Sequence, residues 1–165
     1  MRKLTQYQLF SGITGSNIVC FEQREFPNLI FVQDNISISQ KNVLRGLHGN
    51  LTTIKLAECV FGEVLLAVCD IRISSSGFGT YELFNLSAEN RNRVLIPAGF
   101  VNGHLCLSEQ CVFYYKWSEY YTPDQITIRW DDPTLNIPWG ITNPILSERD
   151  RHGISIQTYK CKQQL

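Results

Sequence analysis

Apolar and polar positions along the chain fall into short runs broken by turn residues. Residues 28–32 form one such run, and residues 55–60 form a second, closed by Phe61-Gly62. Residues 63–71 are almost continuously apolar and end at Ser74-Ser75-Ser76-Gly77. Residues 82–86 lead to the polar break Glu89-Asn90-Arg91-Asn92, and residues 93–96 stop at Pro97-Ala98-Gly99. Residues 103–107 and 111–117 are candidates for antiparallel neighbours joined at Ser108-Glu109-Gln110. Residues 125–130 alternate and stop at Asp131-Asp132-Pro133. The runs are rich in β-branched and aromatic residues, which suit a pleated, half-buried surface. No long helical period survives the interruptions, and the tail after Asp150 reads either way. Many short strands at regular spacing predict an all-β sandwich or closed barrel. With no repeat, linker or low-complexity stretch, residues 1–165 read as a single domain.

A jelly-roll barrel would give this pattern a use. Alternate side chains on each strand point inward, so polar residues at period two can line a pocket whose other walls are apolar. Composition narrows the possible ligands. Apolar residues make up 44 % of the chain, enough for a core without staples, and 15 cationic side chains balance 15 anionic ones. No basic stripe points to nucleic acid and no acidic tail to an interaction arm. The six cysteines, Cys20, Cys59, Cys69, Cys106, Cys111 and Cys161, include no C-x-x-C pair, and several sit inside apolar runs. They read as buried, reduced thiols. The first residues lack the apolar stretch of a signal peptide, and no run approaches the ~20 residues of a membrane span. The expected location is the cytoplasm, with no membrane partner.

Three histidines are present, His48, His104 and His152. His48 follows Leu44-Arg45-Gly46-Leu47 and precedes Gly49-Asn50, so it falls at a strand end. A lone histidine in such a place is more often structural than catalytic. A metal site is the first rival, but no two histidines are close in sequence and the position two beyond His48 is Asn50, so no metal is expected. Tyr115 shares a strand face with Phe113 and Trp117, which suits an aromatic core stripe as well as a phenol poised for proton transfer. Lys55 shares a face with Ala57 and Cys59. There it is either an edge-strand charge or a cation awaiting an anion. Arg45 lies between apolar neighbours, and Asp150 is unremarkable alone.

Taken together, in order, these pieces resemble the dTDP-4-dehydrorhamnose 3,5-epimerases. The matching strings include Phe31-Val32-Gln33-Asp34-Asn35, Val43-Leu44-Arg45-Gly46-Leu47-His48, Ile96-Pro97 with Gly99-Phe100, Tyr115-Lys116, Tyr120-Tyr121 with Pro123, Asp132-Pro133, and Ile145-Leu146-Ser147 through Asp150. The resemblance spans roughly residues 30–150. It implies a metal-free, cofactor-independent cupin-type jelly-roll β-barrel, or double-stranded β-helix, working as a homodimer. The implied substrate is a nucleotide-linked 4-keto-6-deoxy sugar of surface-polysaccharide synthesis, deprotonated and reprotonated beside its C4 ketone. By the match, His48 is the base, Tyr115 the acid, Asp150 the carboxylate that orients the histidine, and Lys55 the cation near the enolate oxygen. Arg45, Gln33, Asn35 and Tyr121 correspond to substrate-binding positions.

Three departures bear on substrate choice. The family string Gly-Phe-Ala-His-Gly reads Gly99-Phe100-Val101-Asn102-Gly103 here, and His104 follows one pleat along. Asn102 and His104 are therefore candidate binding residues of a reshaped subsite. The N-terminal nucleotide-holding segment of the family has only a loose counterpart in residues 20–26. Gly49-Asn50 after the base, together with Asn102-Gly103-His104, looks more like a branch acting on GDP-linked 4-keto-6-deoxy-heptoses. C3 inversion alone, another sugar nucleotide, or a non-catalytic sugar-nucleotide-binding cupin stay open beside inversion at both C3 and C5.

Overall fold

The computed structural model describes residues 2–5, 9–12 and 15–164, with side chains from Asn17 onward. Strands dominate: β1 (Arg2–Thr5), β2 (Leu9–Gly12), β3 (Gly15–Ile18), β4 (Gln33–Gln40), β5 (Leu44–Asn50), β6 (Lys55–Phe61), β7 (Glu63–Asp70), β8 (Tyr81–Ser87), β9 (Asn92–Ile96), β10 (Phe100–Cys106), β11 (Gln110–Trp117) and β12 (Ile126–Thr127). Two helices, α1 (Glu148–Arg151) and α2 (Ile156–Gln163), close the chain. One five-stranded sheet has the order β1-β9-β6-β11-β4, the other β12-β5-β10-β7-β8, while β2 and β3 form a separate hairpin. The named strands pair antiparallel throughout, and the two sheets make the expected jelly roll.

Strand β7 explains why one run is continuously apolar. Val64, Leu66 and Val68 face the space between the sheets, with Val94, Cys111 and Phe113. Ala67 and Cys69 face the other way, into a second cluster with Leu135, Ile137, Trp139, Ile156 and Tyr159 from the C-terminal segment. A strand covered on both faces has no polar side to show. The ambiguous tail resolves into α2, which buries Ile156 and Tyr159 against that outer face. Its start is set by Ser155, whose hydroxyl accepts from the Thr158 N–H at 3.0 Å.

Three expectations need correction. Residues 28–32 are not a strand; Ile30 there is 71 % exposed, and pairing begins only at Gln33. The true strand, β4, was hidden because its alternation is inverted. Asn35 and Ser37 line the interior pocket, whereas Ile36 and Ile38 point out. Second, β10 and β11 are not neighbours. Each pairs with strands of its own sheet, β10 with β5 and β7, β11 with β4 and β6. The link at residues 107–109 therefore crosses between sheets, as jelly-roll connections do. Third, the run 125–130 contributes only Ile126–Thr127 to the sheet, as an edge strand against β5.

Candidate active site

Inward-facing side chains of both sheets enclose a cavity of about 300 Å³. One end of the barrel interior is filled by the apolar cluster around Phe113 and Leu66, and the other carries the polar residues. Strand β5 supplies two of them, Arg45 and His48. Residues three apart face opposite ways on a regular strand. The β5–β10 register shifts between Asn102↔His48 and His104↔Arg45, so three residue steps on β5 span two on β10. Such a bulge turns both side chains to the pocket. Gly46 sits in it with φ of 119°; a Cβ there would lie 2.5 Å from the Gly103 Cα and 2.7 Å from the Asn102 carbonyl oxygen. Only glycine fits.

His48 Nε2 lies 2.7 Å from Asp150 Oδ1, close enough to pair with it but without the in-line geometry of a full hydrogen bond. Asp150 is buried and well held. Its Oδ2 accepts from the Ser147 hydroxyl at 2.6 Å, and Oδ1 accepts from the Gly46 N–H at 3.2 Å. Burial pushes its pKa up, but the contacts with His48, Ser147 and Gly46 outweigh that and hold it below the usual aspartate value. The carboxylate stays ionised and ready to balance a charged imidazole. Ser147 also caps α1, so the turn that carries Asp150 is fixed by the residue that hydrogen-bonds it.

Tyr115 and Lys55 come from the opposite sheet. The Tyr115 ring lies between Phe113 and Trp117, at centroid distances of 5.5 and 5.9 Å. Burial raises its pKa, with Arg45 pulling the other way, so the phenol keeps its proton. Lys55 is 4 % exposed. Its strand is central in the sheet, between β9 and β11, which removes the edge-strand explanation for the charge. Its amine donates to Asn102 Oδ1 at 2.9 Å and to the His48 carbonyl at 3.2 Å, and lies 4.9 Å from the Trp117 ring centroid. Burial, helped by the charge of Arg149, pulls its pKa from 10.5 down to about 7.

The other expected residues divide. Asn35, Asn102, His104 and Tyr121 line the same pocket. Gln33 does not; it donates to Asn35 Oδ1 and accepts from the Tyr121 N–H, so it braces two residues that do. Arg45 donates through Nε to Ser39 Oγ at 3.0 Å and through Nη2 to the Ile38 carbonyl at 3.3 Å, lacing β5 to β4 across the barrel edge. His104 stacks on Phe113 at 4.1 Å, and burial, with the charges of Arg45 and His48, pulls its pKa down to about 3, leaving it neutral. Arg149 and Gln125 also line the pocket and were missed. Arg149 carried a usable signal, a cation directly before Asp150, but nothing in the pattern of Gln125 marks it. Asn35 Nδ2, Trp117 Nε1, Gln125 Nε2 and His104 Nε2 are buried pocket atoms without hydrogen-bond partners. The cationic donors in the lining, Arg45, Lys55 and Arg149, suit a ligand rich in acceptor oxygens. Among the described residues, no group of three or more His, Cys, Asp or Glu side chains is gathered to hold a metal ion. No described helix is long and apolar enough to cross a membrane.

Residues 3–158 match the family model of dTDP-4-dehydrorhamnose 3,5-epimerase. The chain belongs to this family. It is 41 % identical over 155 residues to the dTDP-4-dehydrorhamnose 3,5-epimerase of Shigella flexneri, covering 88 % of this chain and 86 % of the relative. It superposes with a TM-score of 0.89 on the dTDP-6-deoxy-D-glucose-3,5-epimerase of Legionella pneumophila, solved with dTDP-4-keto-L-rhamnose. That structure is 33 % identical, over 94 % of this chain and 88 % of its own. A more distant relative from a Streptomyces species, 32 % identical over 81 % of this chain and 69 % of its own, is a dTDP-4-dehydro-6-deoxyglucose 3-epimerase. Family membership makes the protein an isomerase-class epimerase on the cupin fold.

Proposed function

We propose that the protein inverts C3 and C5 of a dTDP-linked 4-keto-6-deoxy sugar by proton removal and return beside the ketone. One observation carries this: the His48–Asp150 pair and Tyr115 reach into one pocket from opposite sheets, with the Lys55 amine beside them. Inversion needs a base on one face of the sugar and an acid on the other. His48 takes the proton from the carbon next to C4, and Asp150 balances the imidazolium. The electron pair moves onto the C4 oxygen, where Lys55 stabilises the enolate. Tyr115 returns a proton to the opposite face, and its phenolate is reprotonated from solvent. Asn35, Asn102, His104 and Tyr121 contact the sugar nucleotide, while Arg149 and Arg45 face its anionic part.

The test is exchange in deuterated water. Incubation with dTDP-4-keto-6-deoxyglucose should place label at C3 and C5. Label at C3 alone identifies a single-centre epimerase, and label only with a GDP-linked 4-keto-heptose reassigns the nucleotide. Binding measured by calorimetry with no label on any 4-keto sugar nucleotide defeats the epimerase assignment in favour of a binding protein.

The working unit is a homodimer. Ile36 and Ile38, 66 % and 60 % exposed, and Val60 at 40 %, leave apolar surface on the outward face of the first sheet. Covering such a face with a second copy removes it from water. Light scattering after size exclusion should give twice the 18.9 kDa chain mass, and a monomer at micromolar concentration contradicts the assembly.

A further inference from the structure

We infer that Asn102 is a positioning residue that aims the Lys55 amine at the reaction centre. The inference rests on the proposed epimerase chemistry for its purpose, though not for its geometry. Lys55 rises from β6 of one sheet and Asn102 from β10 of the other, so their 2.9 Å hydrogen bond spans the barrel interior. Asn102 pairs directly with His48 across β10 and β5. The same strand pair thus places the base and the acceptor that holds the cation. An ammonium has three N–H bonds. Asn102 Oδ1 takes one, the His48 carbonyl takes the second at 3.2 Å, and the Trp117 ring stands 4.9 Å away. The third is left for the ligand.

The chemical point is that both acceptors are neutral. A carboxylate at position 102 would hold the amine equally well, but it would spend the positive charge inside the protein. An amide oxygen fixes direction and leaves the charge for the enolate. The titratable and charged groups that share the pocket with this amine are Arg149 and Asp150 of α1, His48 and Arg45 of β5, His104 of β10, Tyr115 of β11, and Tyr121. Arg149 repels the ammonium, so the Asn102 oxygen also works against loss of its proton.

The experiment compares the full chain with Asn102→Ala and Asn102→Asp, using two readouts. The first is the titration midpoint of Lys55, followed by carbon-13 NMR of its ε-carbon and assigned with Lys55→Met. The second is deuterium wash-in on dTDP-4-keto-6-deoxyglucose as a function of pH. Asn102→Ala should lower the midpoint by about one pH unit and slow exchange roughly ten- to a hundredfold. Asn102→Asp, nearly isosteric, should raise the midpoint by about two units and still slow exchange. Opposite shifts in midpoint with loss of rate in both variants are what a merely structural asparagine would not produce. Midpoints unchanged in both variants, or exchange at the wild-type rate despite shifted midpoints, overturn the inference. If the wild type itself shows no exchange, the epimerase assignment fails, and the NMR midpoints still decide whether Asn102 holds Lys55.

Discussion

Replacing Lys55 by methionine should make the protein more stable while abolishing exchange. The amine is 4 % exposed and its pKa falls from 10.5 to about 7, chiefly through burial. At about 1.4 kcal/mol per pH unit, carrying this group protonated costs the fold roughly 5 kcal/mol below pH 7. The sign follows from proton counting. Between pH 7 and 10.5 the unfolded chain holds the lysine proton and the folded chain does not, so stability rises with pH across that window. Below it the cost is fully present. Methionine keeps most of the volume and removes the charge. It also strips a donor from Asn102 Oδ1 and from the His48 carbonyl. An unsatisfied buried acceptor costs about 1–3 kcal/mol, less where the pocket admits water. The net gain at pH 6 should be about 2 kcal/mol, or roughly 4–8 °C in Tm for a domain of this size. Scanning calorimetry at pH 6 and pH 9.5, with both proteins at one concentration, is the assay. The Tm difference should shrink at the higher pH, where wild-type Lys55 is already neutral. A variant less stable at pH 6, or a pH-independent difference, would refute the burial argument. So would full exchange activity, since the cation would then be dispensable.

Other outcomes follow from the same contacts. His48→Ala should slow label uptake at C3 and C5 by about 10²–10⁴-fold, with little change in nucleotide affinity by calorimetry. Tyr115→Phe should retain proton removal on the His48 side but lose inverted product, seen by NMR as exchange without change of configuration. Gly46→Ala forces a Cβ to 2.5 Å from the Gly103 Cα at a φ of 119°, so urea unfolding should show a loss of roughly 3–5 kcal/mol. Glu58 is 2 % exposed, with burial raising its pKa from 4.5 to about 7, against the pull of Arg93 and Lys116. Its ionisation costs stability as pH rises through 4.5 to 7, so Glu58→Gln should raise Tm at pH 8 and leave it nearly unchanged at pH 4.

The sequence pattern reveals strands best where one face is apolar and the other polar, or where both are apolar. Strand β7 was legible for the second reason. Strand β4 was not, because its polar residues face the pocket and its isoleucines face out. That inversion is itself a trace of function: a strand lining a ligand cavity exchanges the usual senses of in and out. The crossing between β10 and β11 was illegible for a different reason. A short polar link joins hairpin strands and sheet-crossing strands alike, and only the partners of each strand, far away in sequence, decide between them.

The same distinction separates the legible and illegible parts of the site. The residue types for proton transfer stood out as misfits, a lysine on an apolar face and a histidine at a strand end, but nothing local joined them. What joins His48 to Asp150 is a contact across about a hundred residues, set up by a bulge at Gly46 and a serine-capped turn. Arg45 and His48 are three positions apart on one strand, a spacing that on a regular strand puts them on opposite faces. The shifted β5–β10 register removes that conflict, and the close approach of Gly46 to Gly103 is what permits the shift. The two glycines therefore belong to the chemistry as much as to the fold. A bulkier residue at either one pushes β5 from β10 and parts His48 from Asn102, and with it the acceptor that directs Lys55.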